Sequence, residues 1–209
     1  MNPVPFSIFD AITHLSEQDS TMAQLIHAVG PFEGDMRPAH SPFESICESI
    51  VYQQLSGKAA ATIYGRFRAL SDPDQPLDPN HVVTLADERL RAVGLSSAKT
   101  AAIKDLAAKT IEGIVPTQDQ LEPLSDEEII ERLTSVKGVG PWTVKMYLMF
   151  RLGRPDVLPH TDLGIQKGLM KTYGLSELPT PKLVEAMAEP WRPYRTLASW
   201  YLWRSLDLE

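Results

Sequence analysis

Cysteine is almost missing from this sequence: Cys47 is the one cysteine among 209 residues. A lone cysteine excludes an intramolecular disulfide, a four-cysteine zinc site and a four-cysteine iron–sulfur cluster. The five histidines are scattered, and none forms a His-Glu-x-x-His pair or a similar metal-binding spacing. The composition therefore argues against a catalytic transition metal, and we expect the chain to need no cofactor.

Long apolar runs are missing as well. No stretch approaches the roughly 20 apolar residues that a membrane-spanning helix needs. The opening residues, Met-Asn-Pro-Val-Pro-Phe, lack the basic start and the apolar core of a signal peptide. We therefore expect a cytoplasmic protein with no membrane partner. We also expect it to be a monomer.

Positive charge is scarce overall, since the formal net charge is −7. A negative protein is, at first sight, a poor partner for nucleic acid. The charge is nevertheless uneven: residues 137–204 carry ten Lys or Arg and five Asp or Glu, whereas residues 1–136 carry ten basic and twenty acidic residues. This asymmetry favours an anionic partner at one face of the protein.

The spacing of apolar residues is helical almost throughout the chain. Apolar side chains recur at steps of three and four residues, as in Phe43, Ile46, Cys47, Ile50 and Val51. Convincing segments with the two-residue alternation of strands are missing. The pattern therefore predicts an all-α fold.

We expect eight to ten helices, with a Pro- and Asp-rich loop at residues 71–80. This layout favours two helical lobes around a shared cleft. One lobe comprises about residues 40–125, and the other about residues 1–39 together with 126–209.

Several helix ends are marked by local residues. Ser125 and Glu128 form a capping box, because the hydroxyl and the carboxylate can each satisfy an exposed backbone N–H. Thr180 before Pro181 predicts a helix start. Gly174 predicts the end of a helix that begins near Asp162.

The most informative segment runs from residue 133 to residue 143. A helix that ends at Val136 meets Gly138 and Gly140, and Pro141 then restarts a helix. Glycines one residue apart permit a tight turn with positive φ. The backbone N–H groups of this turn and of the next helix then point outward, which makes an anion site suited to a phosphodiester. The alternative is a tight turn between helices that binds no ligand.

This segment resembles the helix-hairpin-helix of the DNA glycosylase superfamily that also contains endonuclease III. Residues 158–164 follow at the family's distance, and Asp162 falls on its catalytic aspartate. Three further blocks, residues 50–60, 90–99 and 191–203, are similar to the alkylpurine branch and come in the same order. The chain thus resembles the DNA-3-methyladenine glycosylase II family, in a compact form that lacks the N-terminal β-domain of some relatives.

The resemblance implies hydrolysis of the N-glycosidic bond of alkylated purines, such as 3-methyladenine and 7-methylguanine, after the base is flipped out of duplex DNA. Asp162 would stabilise the positive charge that grows on the deoxyribose and orient or deprotonate the attacking water. An alkylated purine is already cationic, so it leaves without a second, protonating carboxylate. The alternative for Asp162 is an ordinary helix N-cap. The expected partner is double-stranded DNA containing alkylated bases, in the nucleoid if the source is bacterial.

Two tryptophans are candidates for the base pocket. Family members that also nick the strand carry a nucleophilic lysine at the second position after the last hairpin glycine, where this chain has Trp142. We therefore expect a monofunctional enzyme, with Trp142 stacked on the flipped base or, alternatively, packed between helices. Trp203 matches an aromatic residue that lines the base pocket in this branch. Leu163 stands where some relatives have an aromatic residue, which implies a more open pocket.

DNA contacts are also implied by the resemblance. Gln54 or Leu55 would fill the hole left by the flipped nucleotide, with burial at a helix end as the alternative. The hairpin residues expected to hold the DNA backbone are Lys137, Gly138, Val139 and Gly140.

Relatives further imply a structural monovalent cation at the hairpin, which would face the phosphate and take no part in catalysis. The backbone carbonyls expected to hold it are those of Thr134, Val136 and Val139. No side chain in the sequence demands such an ion.

Two other functions stay open. In a non-enzymatic helix-hairpin-helix DNA-binding module, Asp162 would do no more than cap its helix. The second alternative is a bifunctional glycosylase/lyase for oxidised bases. Trp142, which stands where such an enzyme has its nucleophilic lysine, argues against it.

Overall fold

The computed structural model describes residues 6–34, 41–72, 74–121 and 123–208. Regular structure within these ranges is entirely helical, which confirms the all-α prediction. They contain thirteen α-helices and one 3₁₀ helix, more than the eight to ten expected. The excess consists of short helices, which span too few turns to show a clear apolar period.

The helix bounds are as follows. The first seven are α1 Ile8–Gln18, α2 Ser20–Val29, α3 Pro42–Tyr52, α4 Gly57–Arg68, α5 Pro79–Thr84, α6 Asp87–Ala92 and α7 Ser97–Ile111. The next six are α8 Gln118–Leu121, α9 Asp126–Thr134, α10 Pro141–Phe150, α11 Leu163–Tyr173, α12 Pro181–Met187 and α13 Arg195–Ser205. The 3₁₀ helix Glu189–Trp191 lies between α12 and α13.

The chain divides into two compact units. Unit 1 comprises Met1–Arg37 and Leu148–Glu209, and unit 2 comprises Pro38–Tyr147. The lobe boundary expected at residues 125–126 therefore falls inside unit 2. Helix α9 and the turn after it belong to unit 2, and two hydrogen bonds join that turn to side chains of α7.

The local helix signals are confirmed at three ends. Ser125 and Glu128 form the predicted capping box, Thr180 caps α12, and Gly174 ends α11 with φ +64°. The predicted loop at residues 71–80 is too long, because α5 already begins at its ninth residue with an Asp side-chain cap and a proline in the first turn.

The core of unit 1 fixes the position of α11. Gly168 allows this helix to approach α13 closely, since a Cβ there would lie 2.4 Å from the backbone oxygen of Leu202. Asp19, the N-cap of α2, accepts hydrogen bonds from Tyr173 Oη at 2.7 Å and from Trp191 Nε1 at 2.9 Å. Trp191 is fully buried, so its ring is part of this core. The middle and the C-terminal end of α11 are therefore anchored.

The core of unit 2 is built around α3 and α7, which pack against each other. Their buried apolar residues include Phe43, Ile46, Ile50, Ile103 and Leu106. On α3, Phe43, Ile46 and Ile50 keep the three- and four-residue spacing seen in the sequence, so the apolar face of this helix packs into the core.

Among the helices of the described ranges, none combines the length and the hydropathy of a membrane-spanning segment.

Candidate functional site

The turn between α9 and α10 contains two glycines with different roles. Gly138 has φ +74°, a conformation that disfavours any residue with a Cβ. Gly140 lies outside this left-handed region, and a Cβ there would meet no atom within 4 Å. Only Gly138 is therefore required by the turn itself, while Gly140 leaves the backbone uncovered. Of these two glycines, Gly138 alone has the positive φ expected from the sequence.

The backbone amides of the turn do not all point outward, and the prediction that they do is wrong for two of them. Lys137 N–H donates to Asp105 Oδ2 at 2.8 Å. Val139 N–H donates to Val136 O at 3.1 Å. Within the described ranges, the N–H groups of Gly138 and Gly140 donate to no protein acceptor. The anion site expected from the sequence is thus reduced to these two glycine amides, together with the exposed Lys137 side chain.

Asp105 on α7 braces this turn. Its Oδ2 also accepts a hydrogen bond from Lys109 Nζ at 2.8 Å, and the same ammonium donates to Ser135 O. Burial alone would raise the pKa of Asp105, but the hydrogen bonds from Lys109 and Lys137 N–H, with the charges of both lysines, lower it below its ordinary value. The carboxylate therefore stays charged, and the positive charges of Lys109 and Lys137 balance it beside the turn.

A second turn, at residues 53–55, follows the end of α3. Gln54 has φ +56°, and both Gln54 and Leu55 are exposed. Burial at a helix end, the alternative considered for them, is therefore excluded. Lys99 Nζ donates to Val51 O at 2.7 Å and to Gln53 O at 2.8 Å, which satisfies carbonyls at the end of α3. Burial lowers the pKa of Lys99.

The two turns are joined by a side chain. Gln53 Nε2 donates to Gly138 O at 3.0 Å, across 85 positions of sequence. Both turns line a pocket of about 540 Å³ within unit 2, together with Tyr52, Trp142 and Met146. Trp142 is 47% exposed, so it is not a buried packing residue. The structure thus brings Gln54, Gly138, Gly140 and Trp142 to one pocket.

Asp162 lies in unit 1 as the N-cap of α11. Its Oδ1 accepts the backbone N–H of Ile165 at 2.9 Å, as in an ordinary cap. The same oxygen accepts the indole N–H of Trp203 at 2.9 Å, which a cap does not require. The carboxylate is partly buried, and two donors from different helices hold one of its oxygens.

Trp203 is therefore beside Asp162, a contact that the sequence did not predict. Its ring lies 6.0 Å from that of Phe150, at an interplanar angle of 34°. Gly164 lies against the indole of Trp203 and the carboxylate of Asp162. Leu163, the next residue along α11, is 52% exposed, so its side chain does not cover this site.

Four positioning residues escaped the sequence analysis. Lys99 and Gly164 fell within recognised blocks but without a role, while Asp105 and Lys109 gave no signal. Each acts through a contact with residues far away in sequence. The monovalent cation expected here would bind to backbone carbonyl oxygens. Val136 O already accepts the N–H of Val139, but a carbonyl oxygen has a second lone pair, so it can still bind such an ion.

Comparison with known proteins identifies the family of this chain. The model of the HhH-GPD superfamily base excision DNA repair proteins matches residues 47–193. DNA-3-methyladenine glycosylase 1 of Schizosaccharomyces pombe is 39% identical over 97% of this chain and 89% of that protein.

Two solved structures are also similar. The S. pombe 3-methyladenine DNA glycosylase (Mag1) in complex with abasic DNA has a TM-score of 0.85 and 38% identity, over 95% of this chain and 97% of that one. A DNA-3-methyladenine glycosidase from Bacillus halodurans has a TM-score of 0.83 and 37% identity, over 93% and 88% of the two chains. The chain therefore belongs to the HhH-GPD superfamily of base excision DNA repair proteins.

Proposed function

We propose that this protein is a DNA glycosylase that hydrolyses the N-glycosidic bond of alkylated purines in duplex DNA. The observation that carries the proposal is Asp162, a partly buried carboxylate held by two donors at the family's catalytic position. The relatives named above are 3-methyladenine glycosylases, which supports bases of the 3-methyladenine and 7-methylguanine type as the substrates.

Unit 2 supplies the contacts to the DNA backbone in this proposal. The amides of Gly138 and Gly140 bind a phosphate oxygen, and the exposed Lys137 ammonium neutralises its charge. Such contacts carry no sequence information, which suits an enzyme that must find lesions in any context. The carbonyls of Thr134, Val136 and Val139 offer the oxygen ligands that a monovalent cation takes, and such an ion would add positive charge beside the phosphate.

The exposed turn at residues 53–55 fits the extrusion of a base. Gln54 or Leu55 enters the stack where the nucleotide leaves, because both project from a turn that Lys99 and Gln53 hold in place. Trp142 presents an aromatic face to the pocket of unit 2, where it stacks on the cationic base.

Asp162 carries the chemistry. As the bond between C1′ and the base nitrogen breaks, its electron pair leaves with the base and neutralises the alkylated ring. The carboxylate stabilises the positive charge left on the sugar, and a water oxygen then bonds to C1′ and transfers one proton to the carboxylate or to bulk water. Since the base leaves without protonation, one carboxylate is sufficient.

Trp142 favours a product with an intact strand. A lyase needs an amine nucleophile to form a covalent adduct with the sugar, and the position of that lysine holds an indole. The product is therefore an abasic site. We expect the protein to act at the chromosome, in the nucleoid if the source is bacterial.

The test is base release from methylated duplex DNA by the purified protein. Wild type should release 3-methyladenine or 7-methylguanine, while Asp162→Asn should release them about 10²–10³-fold more slowly and still bind the DNA. Binding without release from any alkylated substrate by wild type would instead indicate a helix-hairpin-helix binding module. Borohydride trapping of a protein–DNA adduct would overturn the monofunctional proposal.

A further inference from the structure

The glycine at position 164 stands at an unusual place in the structure. Gly164 is the second residue of α11, two positions after the N-cap Asp162. A Cβ on Gly164 would lie 2.8 Å from Cδ1 and 2.9 Å from Nε1 of Trp203, and 2.9 Å from Oδ1 of Asp162. Contacts under 3 Å force a neighbour to move, and here the neighbours are the donor and the acceptor of one hydrogen bond.

Backbone conformation does not explain this glycine. Its φ lies outside the left-handed region, so an alanine would fit the helical backbone without strain and would favour the helix. The space around the missing side chain is therefore the relevant property. The indole of Trp203 occupies that space, and Phe150 supports the ring at a centroid distance of 6.0 Å.

We propose that Gly164 and Trp203 are positioning residues that fix the Asp162 carboxylate for the reaction. This inference rests on the proposed glycosylase function. The Ile165 N–H alone leaves a carboxylate some freedom to rotate, whereas a second donor on the same oxygen, reaching in from α13, fixes both torsions of the side chain. Trp203 thereby has a role besides any contact of its ring with the base.

The indole N–H has two opposing effects on the reaction, and loss of the N–H shows which of them is larger. A hydrogen bond to a carboxylate withdraws part of its negative charge, which would weaken its stabilisation of the cationic sugar. If orientation dominates, loss of the N–H slows the reaction. If charge withdrawal dominates, the same loss accelerates it.

Trp203→Phe removes the donor and keeps an aromatic ring. We expect the single-turnover rate of 7-methylguanine release to fall roughly tenfold, the usual size for one hydrogen bond to a charged group. The dissociation constant for duplex DNA with an abasic site should change less than twofold, because the residue acts on the reacting step. A rate equal to or above that of wild type would overturn the proposal, as would an equal loss in DNA affinity.

Gly164→Ala tests the same contact without removing either partner. Its rate should fall in the same direction as that of Trp203→Phe, and the loss in the double variant should be smaller than the two single losses combined, since both substitutions disturb the same hydrogen bond. The matched control is Gly65→Ala in α4, where a Cβ meets no atom within 4 Å, and it should retain the wild-type rate. Additive losses in the double variant would contradict the proposal.

The two levels of the argument fail separately. If wild type releases no alkylated base, the glycosylase function itself is wrong. If wild type is active and Asp162→Asn is much slower, while Trp203→Phe and Gly164→Ala match wild type, only the positioning role is wrong. Thermal unfolding of each variant identifies a loss of rate that comes from loss of folded protein.

Discussion

The hairpin of unit 2 and the carboxylate of unit 1 use glycine in different ways. In unit 2, Gly138 provides a positive φ and Gly140 leaves the backbone uncovered, so that amides are available to a ligand. In unit 1, Gly164 makes room for the Trp203 indole, so that a side-chain donor reaches Asp162. In the proposed function, the hairpin binds DNA through backbone groups, whereas the catalytic site consists of side chains. Substitutions in the two regions should therefore affect different measurable quantities.

The largest expected effect separates chemistry from binding. Asp162→Asn should lower the single-turnover rate of base release by about 10²–10³-fold, because a neutral amide cannot stabilise the charge on the sugar. Its affinity for duplex DNA containing an abasic site should stay within about twofold of wild type, since the amide still caps α11. Quenched single-turnover assays and fluorescence anisotropy measure the two quantities. Loss of both together would break the distinction between the two regions.

Gly138→Ala should show the reverse pattern. A Cβ at φ +74° costs about 1–2 kcal/mol in free energy of unfolding, and the strained turn should bind DNA roughly tenfold more weakly. At saturating enzyme the rate of base release should remain near that of wild type. Urea unfolding and anisotropy titrations report the two losses. A variant with a normal DNA affinity would argue against the hairpin as the phosphate site.

Asp105 should make the free energy of unfolding depend on pH. Its pKa is lowered in the folded protein from the ordinary value of 3.8, so its contribution to stability is present above the unfolded pKa and is lost as the pH falls through the lower, folded pKa. Asp105→Asn should therefore cost about 1 kcal/mol near pH 7, because the bonds to Lys109 and Lys137 lose their ionic character. The gap from wild type should close below about pH 4. Urea unfolding at several pH values measures it, and a gap that widens in acid would contradict this account.

The smallest expected effect belongs to Gly140→Ala. The new Cβ meets no protein atom, so the free energy of unfolding should fall by at most about 1 kcal/mol, the preference for glycine over alanine at a helix N-cap. DNA affinity should nevertheless fall several-fold, because the methyl group lies where the phosphate approaches the backbone. Gly65→Ala again serves as the control, with unchanged affinity. Equal affinity for the two variants would show that Gly140 does not contact the DNA.

Local features of the sequence predicted much of the fold. The capping box at Ser125, the Thr180 cap and the Gly174 terminus are confirmed because each depends on residues within four positions of one another. The helix count was too low, since short helices are stabilised by tertiary packing more than by their own pattern. The boundary between the units could not be placed from the sequence, because it depends on contacts between residues far apart along the chain.

By itself, the sequence determined the helical class, the glycine turn, and the position of one carboxylate at the start of a helix, because these depend on neighbouring residues. The tertiary structure decided which groups complete each site. Trp203 reaches Asp162 across 41 positions, Lys137 N–H reaches Asp105 across 32, and Gln53 reaches Gly138 across 85. A hydrogen bond depends on distance and direction within a few tenths of an ångström, and for residues so far apart only the packing of the helices that carry them sets both.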